Sequence, residues 1–227
     1  MQGPHLVYFA DPMCSWCWGF SPVIDAITAR FGASLPIRLV LGGLRPGTRA
    51  PMDARERAEV RHHWEHVHEA SGQPFDFGLF ERERFVYDTE PASRAVVVLR
   101  RRGMSTALDA LQRIQRAFYA QNRDVTALET LAEVAAELGL DAATFGDEFA
   151  SVDALNETRA DFALAQAAGI RGFPTLIAGH GDDQRYTLVT HGFQPAQRVL
   201  ALLDAWLDDN ARGADEGRGR ASNGKGI

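Results

Sequence analysis

Leu6-Val7-Tyr8-Phe9-Ala10 runs into Asp11-Pro12-Met13-Cys14-Ser15-Trp16-Cys17. The first five residues are apolar strand formers, and Asp11-Pro12 ends them. From about Cys14 to Phe31, the apolar positions Trp18, Val23, Ile24, Ile27 and Phe31 suit one face of a helix that Gly32 stops. Pro22 inside it predicts a kink or a restart. Ile37 to Leu41 is a second strand, closed by Gly42-Gly43. Strand, helix, strand reads as a βαβ unit with a C-x-x-C at its first strand-to-helix junction.

That placement matters more than the cysteine spacing. Cys14 and Cys17 are the only cysteines of the chain. A pair three residues apart closes almost no loop, so it is no structural staple. Cys14 falls at or just before the first helical turn, where unpaired backbone N–H groups stabilise a thiolate. Cys17 lies one turn further in and is suited to resolving a mixed disulfide. Half of a zinc site is the competing reading, but no second cysteine pair exists to complete it. Two inert core cysteines are the other.

After Arg45–Ala50, a loop with Pro46 and Gly47, the pattern from about Met52 to Ala168 is helical. Ala54–Ala70 is charged and rich in histidine. Glu90-Pro91 opens a helix through Leu99. Met104, Leu108, Leu111, Ile114 and Phe118 make one stripe, and Leu128, Leu131, Ala135 and Leu138 another. Phe145 and Phe149 sit four apart. Leu155, Phe162 and Ala165 make a last stripe before Gly169. These stripes read as core. Thr175–Ala178, a turn over Gly179–Asp183, and Tyr186–Thr190 make a hairpin. Pro195–Leu207 is a closing helix. The Gly/Arg/Ser-rich end is expected to be disordered.

The 227 residues are 45% hydrophobic and 24% charged, an ordinary globular composition. A chain this long buries a core without disulfides. The net charge is −6, and no dense basic block appears, so nucleic acid is not an expected partner. All basic residues except Lys225 are arginine. No apolar run is long enough for a transmembrane helix, and Met1–His5 shows no secretory signal, so the expected compartment is the cytoplasm.

Gly172-Phe173-Pro174-Thr175 stands where the helical region ends and the hairpin starts. A proline entering a strand needs a reason, and a cis X–Pro bond turning the Phe173 backbone toward the dithiol is one. An ordinary trans loop proline is the other.

Three stretches together resemble a known family: Asp11-Pro-Met-Cys14-Ser-Trp-Cys17-Trp18-Gly-Phe20, Leu41-Gly-Gly-Leu44-Arg-Pro-Gly47 and Gly172-Phe-Pro174-Thr175. The chain resembles the DsbA-like branch of the thioredoxin superfamily, and within it the cytosolic, FrnE-like protein-disulfide oxidoreductases, over about residues 5 to 208. The resemblance implies an α/β thioredoxin fold with a large inserted all-helical domain. The expected division is a discontinuous thioredoxin-like unit (1–44 and 170–210), a helical insert (45–169) and a disordered tail (211–227). The resemblance also implies a nucleophilic Cys14, a resolving Cys17 and a cis Pro174 facing them.

The chain departs from the pattern in places. Many thioredoxin-like proteins carry a buried carboxylate six residues before the nucleophile; Tyr8 stands there. Proton transfer at Cys17 then falls to Asp11 or water. Ser15-Trp16 between the cysteines is neither the Pro-His of strong oxidants nor the Gly-Pro of strong reductants, which leaves the redox direction open. Ser15 is a candidate helix cap or thiolate partner, and Asp11 opposes a charge on Cys14. Trp16, Trp18, Phe20 and Phe173 are candidates for an apolar substrate rim. Core positions are the competing reading for Trp18 and the favoured one for Phe20.

His62-His63-Trp64-Glu65-His66-Val67-His68 contains H-x-x-E-H, the spacing of an inverted zinc-protease motif. Surface histidines around a packed Trp64 are the favoured reading. The leading function is thiol–disulfide exchange on protein or small-molecule disulfides, of the reductase or isomerase type. No tightly bound cofactor is expected, and glutathione or another cellular thiol serves as reductant. Alternatives are a kappa-type glutathione transferase or isomerase, which the cysteine pair argues against, a redox sensor, and a chaperone-like binder.

Overall fold

The computed structural model describes residues 3–82, 84–181 and 185–222, with side chains described as far as Arg212. Met1, part of the expected turn (Asp182 and Asp183) and the end of the expected tail (223–227) lie outside the described residues. β1 (Pro4–Ala10), α1 (Ser15–Phe31) and β2 (Ile37–Leu41) form the expected opening unit. The helices α2 (Ala54–Ser71), α3 (Glu90–Arg100), α4 (Met104–Tyr119), α5 (Leu128–Glu137), α6 (Ala142–Ala150) and α7 (Val152–Ala167) follow. The chain then returns to the sheet with β3 (Thr175–His180) and β4 (Tyr186–His191), and closes with α8 (Ala196–Ser222).

The strand order is β2-β1-β3-β4. β1 is parallel to β2, with Leu6 opposite Ile37. It is antiparallel to β3, with Phe9 opposite Thr175. β1 is therefore an inner strand, and both its faces are covered. Leu6, Tyr8 and Ala10 join the main core with Cys17, Trp18 and Phe20. Val7 and Phe9 pack with Val40 and Ala165 on the opposite face. An inner strand buried on both sides needs an unbroken apolar run, which is what Leu6–Ala10 supplies.

Helix α1 runs through Pro22 without a break, where the sequence predicts a kink or restart. Proline removes the N–H that would reach the Trp18 carbonyl. That carbonyl instead accepts from Ser21 Oγ at 2.9 Å and from Gln73 Nε2 at 3.1 Å. The freed acceptor is satisfied, so the helix keeps its course.

The helical region is built onto the sheet. One core holds Trp64, Phe118 and Tyr119 together with the residues of β1 and α1. Three of its groups cover the outer side of β2. Leu41 N donates to Asp161 Oδ2 at 3.0 Å, Leu39 N points at Met104 Sδ at 3.2 Å, and Arg100 donates to the Leu39 carbonyl at 3.3 Å. Arg100 also pairs with Asp161 at 2.6 Å, which neutralises a carboxylate that is only 8% exposed.

α8 continues to Ser222, across the start of the tail expected from residue 211. Its first turns are anchored by buried Val199 and Leu203.

Candidate active site

Cys14 caps the N-terminus of α1 with extended backbone (φ −94°, ψ 115°). Its carbonyl accepts from Cys17 N at 3.0 Å and Trp18 N at 3.1 Å. No side chain caps this end, so the expected capping role of Ser15 is corrected: Ser15 is the first helical residue. Unfilled N–H groups therefore lie beside the Cys14 sulfur, where an anion is favoured.

The turn before Cys14 is held from two sides. Asp11 is fully buried. Its Oδ1 accepts from Met13 N at 2.9 Å, and its Oδ2 accepts from Leu44 N at 2.8 Å. Burial pushes its carboxyl up to about 6, against those same backbone hydrogen bonds, which hold it down. The Tyr87 hydroxyl donates to the Met13 carbonyl at 2.6 Å. Asp11 therefore ties the end of β1 to the loop after β2, which corrects its expected place among the substrate-binding residues.

The second anchor is the loop before β3. The Phe173–Pro174 bond is cis. The Cys14 thiol donates to the Phe173 carbonyl at 3.5 Å, so the two chain segments meet across the dithiol. Pro174 is buried, and its own carbonyl accepts from Gly192 N at 2.7 Å. Cys17 sits behind Cys14 with no exposure. Burial first, and then the neighbouring Cys14, push the Cys17 thiol well above its ordinary range. Both cysteines are free thiols. The arrangement offers one thiol at a helix N-terminus, reachable from a cavity, and a second in reserve beneath it.

That cavity measures about 300 Å³ and lies between the α1 terminus, α2 and the Phe173 loop. Ser15, Trp16, Phe173, Leu44, Arg45 and His63 contribute to its lining. Trp16 is half-buried and packs on Phe193, with ring centroids 5.9 Å apart.

Residues 5–204 match the DSBA-like thioredoxin domain. The chain belongs to that family. It is a family of thiol–disulfide oxidoreductases with the thioredoxin-like fold and a helical insertion. Among solved structures, a proposed protein disulfide isomerase from Nitrosomonas europaea is 40% identical, covers 92% of this DSBA-like chain and 99% of its own, and superposes with a TM-score of 0.84. The cytosolic disulfide reductase DsbM from Pseudomonas aeruginosa is 28% identical over 92% of this chain and 98% of its own, with a TM-score of 0.71. DsbM has also been solved with glutathione. Among curated proteins, the ClpXP adapter protein SpxH of Halalkalibacterium halodurans is 21% identical over 88% of this chain. The chain spans 66% of that relative's length.

Within this DSBA-like site, the sequence reading needs one more correction. Trp18 is 2% exposed and stacks on Tyr119, and its indole N–H donates to the Pro74 carbonyl at 3.0 Å. It belongs to the core, as does Phe20, and it takes no part in a substrate rim. Trp16, Ser15 and Phe173 do line the cavity. His63 also lines it, which the metal-centred reading of the histidine segment missed. His62 and His66 lie on the exposed face of α2 with ring centroids 4.0 Å apart. No cluster of three metal-ligating side chains occurs among the described residues. Trp64 is buried among Phe75, Phe80, Phe118 and Tyr119.

Proposed function

We propose that this chain reduces or isomerises disulfides by dithiol exchange, with Cys14 as nucleophile and Cys17 as resolving residue. The meeting of the Cys14 thiol, the α1 N-terminus and the Phe173 carbonyl carries this reading. The Cys14 thiolate attacks one sulfur of a substrate disulfide, and the other sulfur leaves as a thiolate. Cys17 then attacks the Cys14 sulfur, releases the second substrate thiolate and leaves the Cys14–Cys17 disulfide. Two thiols of a cellular reductant restore the dithiol, becoming a disulfide themselves. No tightly bound cofactor enters these steps.

Glutathione is the proposed reductant. The cavity places cationic Arg45 and the His63 ring around an otherwise apolar wall, which suits a small thiol bearing carboxylates. The glutathione-bound structure of DsbM supports the same choice. The cytosolic setting of that reductase supports a cytoplasmic one here. No helix among the described residues is long and apolar enough to cross a membrane.

Equilibration with glutathione buffers, read by Trp16 fluorescence, tests the proposal. A potential between roughly −270 and −200 mV is expected for a reductant, whereas about −120 mV marks an oxidant. Failure to form a disulfide at any poise would end the redox reading. In that case the adapter names of the curated relatives favour a binding protein, and a variant with both cysteines changed to serine would retain its partner.

A further inference from the structure

Gln115 is wholly buried, yet neither its amide nitrogen nor its amide oxygen makes a hydrogen bond among the described residues. Tyr8, 1% exposed, has no partner for its hydroxyl there either. Buried polar groups are nearly always paired, so two such orphans together mark a place built to meet something else. An amide presents N–H donors and a carbonyl acceptor side by side on one plane. Its complement is a second amide edge, donor to acceptor and acceptor to donor.

Both side chains line one cavity of about 310 Å³ between α1 and α4. That lies at the lower end of the roughly 300–1,000 Å³ common for small-molecule sites. Leu108, Leu111, Gln112 and Gln115 reach it from one face of α4, at helical spacing. The Gln112 amide nitrogen is already engaged, donating to Asp25 Oδ2 at 2.8 Å. Ser21 Oγ is engaged too: it donates to the Trp18 carbonyl at 2.9 Å and accepts from Gln73 Nε2 at 2.8 Å. Of the buried polar groups in the lining, Tyr8 and Gln115 are therefore the ones left to bind. Asp25 and Asp109 are exposed and mark the open end, and Ile24, Leu108 and Leu111 supply apolar walls. The lining shares no residue with the cavity beside Cys14.

We infer that the α1–α4 cavity is a second binding site, for a flat apolar ring carrying a neutral carboxamide. The carboxamide pairs edge to edge with the Gln115 amide, and the Tyr8 hydroxyl donates to its carbonyl. The ring packs against Ile24, Leu108 and Leu111. The charge of the lining decides for an amide over an acid: Asp25 and Asp109 are there, and no Lys, Arg or His is. A carboxylate would meet two like charges and no cation. A basic substituent on the far side of the ring would meet both acids at the open end. The site stands apart from the dithiol, so its occupancy does not depend on how Cys14 and Cys17 react.

Benzamide, para-aminomethylbenzamide, benzoate and toluene are the probes, titrated into the isotope-labelled full chain and followed by NMR shifts. Benzamide is expected to bind with shifts confined to α1, α4 and Tyr8, and para-aminomethylbenzamide to bind several-fold more tightly. Benzoate and toluene should bind about tenfold more weakly or worse, because each leaves the Gln115 amide without its match. Gln115→Leu should weaken benzamide about tenfold or more and leave toluene unweakened. Leu108→Trp fills the cavity from a half-buried position and should abolish binding of both. That variant and the comparison of benzamide with toluene decide the matter if Gln115→Leu does not fold. No binding of benzamide, which would mean a cavity for water alone, overturns the inference. So does equal binding of benzamide and toluene, or benzamide shifts centred on Cys14 and Trp16.

Discussion

The ring of Phe173 occupies the space that a side chain on residue 42 would need. A Cβ at Gly42 would come within 2.0 Å of Phe173 Cζ. The end of β2 thereby sets the position of the residue whose carbonyl faces Cys14. Gly42→Ala is expected to push the ring away, at a cost of about 1–3 kcal/mol from overpacking. Displacing the Phe173 carbonyl should slow mixed-disulfide formation on the order of tenfold. Gly146→Ala in α6, where nothing lies within 4 Å, is the control and should stabilise by roughly 0.5–1 kcal/mol. Urea melts and exchange rates on both variants check the pair of outcomes.

Asp11 links stability to pH. An unfolded aspartate titrates near about 3.9. The folded carboxyl is pushed up to about 6. The folded state therefore holds this proton more tightly. Its contribution, on the order of 3 kcal/mol, is fully present below about pH 4 and is lost as the pH rises through about 6. Asp11→Asn should flatten that decline. Below about pH 4 it should cost about 1–3 kcal/mol, because an amide cannot accept from both Met13 N and Leu44 N, and that deficit should shrink as the pH rises through about 6. Denaturation midpoints of the two proteins across this window test the sign.

Asp161 answers both a backbone donor and a cation. Asp161→Ala leaves Leu41 N and the mostly buried Arg100 guanidinium without their partner. A loss of about 3–5 kcal/mol is expected. Asp161→Asn keeps an acceptor for Leu41 and should fall between the two in a urea titration. An Asn variant less stable than the Ala variant would contradict this account.

Trp16 offers its half-exposed ring beside Cys14. Trp16→Ala is expected to raise KM for a peptide disulfide about tenfold with little change in kcat, as loss of a docking surface does. A lowered kcat at constant KM would assign Trp16 to the exchange chemistry instead.

The elements nearest the dithiol were legible because their signals are local. An apolar strand, a proline turn and a cysteine pair at a helix start lie within fifteen residues of one another. The Gly42-Gly43 motif was legible as a pattern. Its reason was not, because the Phe173 and Phe162 rings that press on it come from far along the chain. Trp18 reads as a rim residue beside Cys17. One residue turns a helix by about 100°, which points it into the insert. The unbroken course of α1 depends on Gln73, and the role of Asp161 depends on how α7 crosses the sheet. A polar residue in a helical stripe carries no mark of such a crossing.

Asp161, Met104 and Arg100 do more than join the insert to β2. A strand at the margin of a sheet is a template for another strand. Here that margin is sealed from within the same chain, so the sheet cannot grow past β2. Cut at residues 44 and 170, the four strands would carry a bare row of donors and acceptors and would tend to self-associate. Any intermolecular sheet formed by the intact protein must instead build on β4, where Tyr186 and Leu188 are exposed.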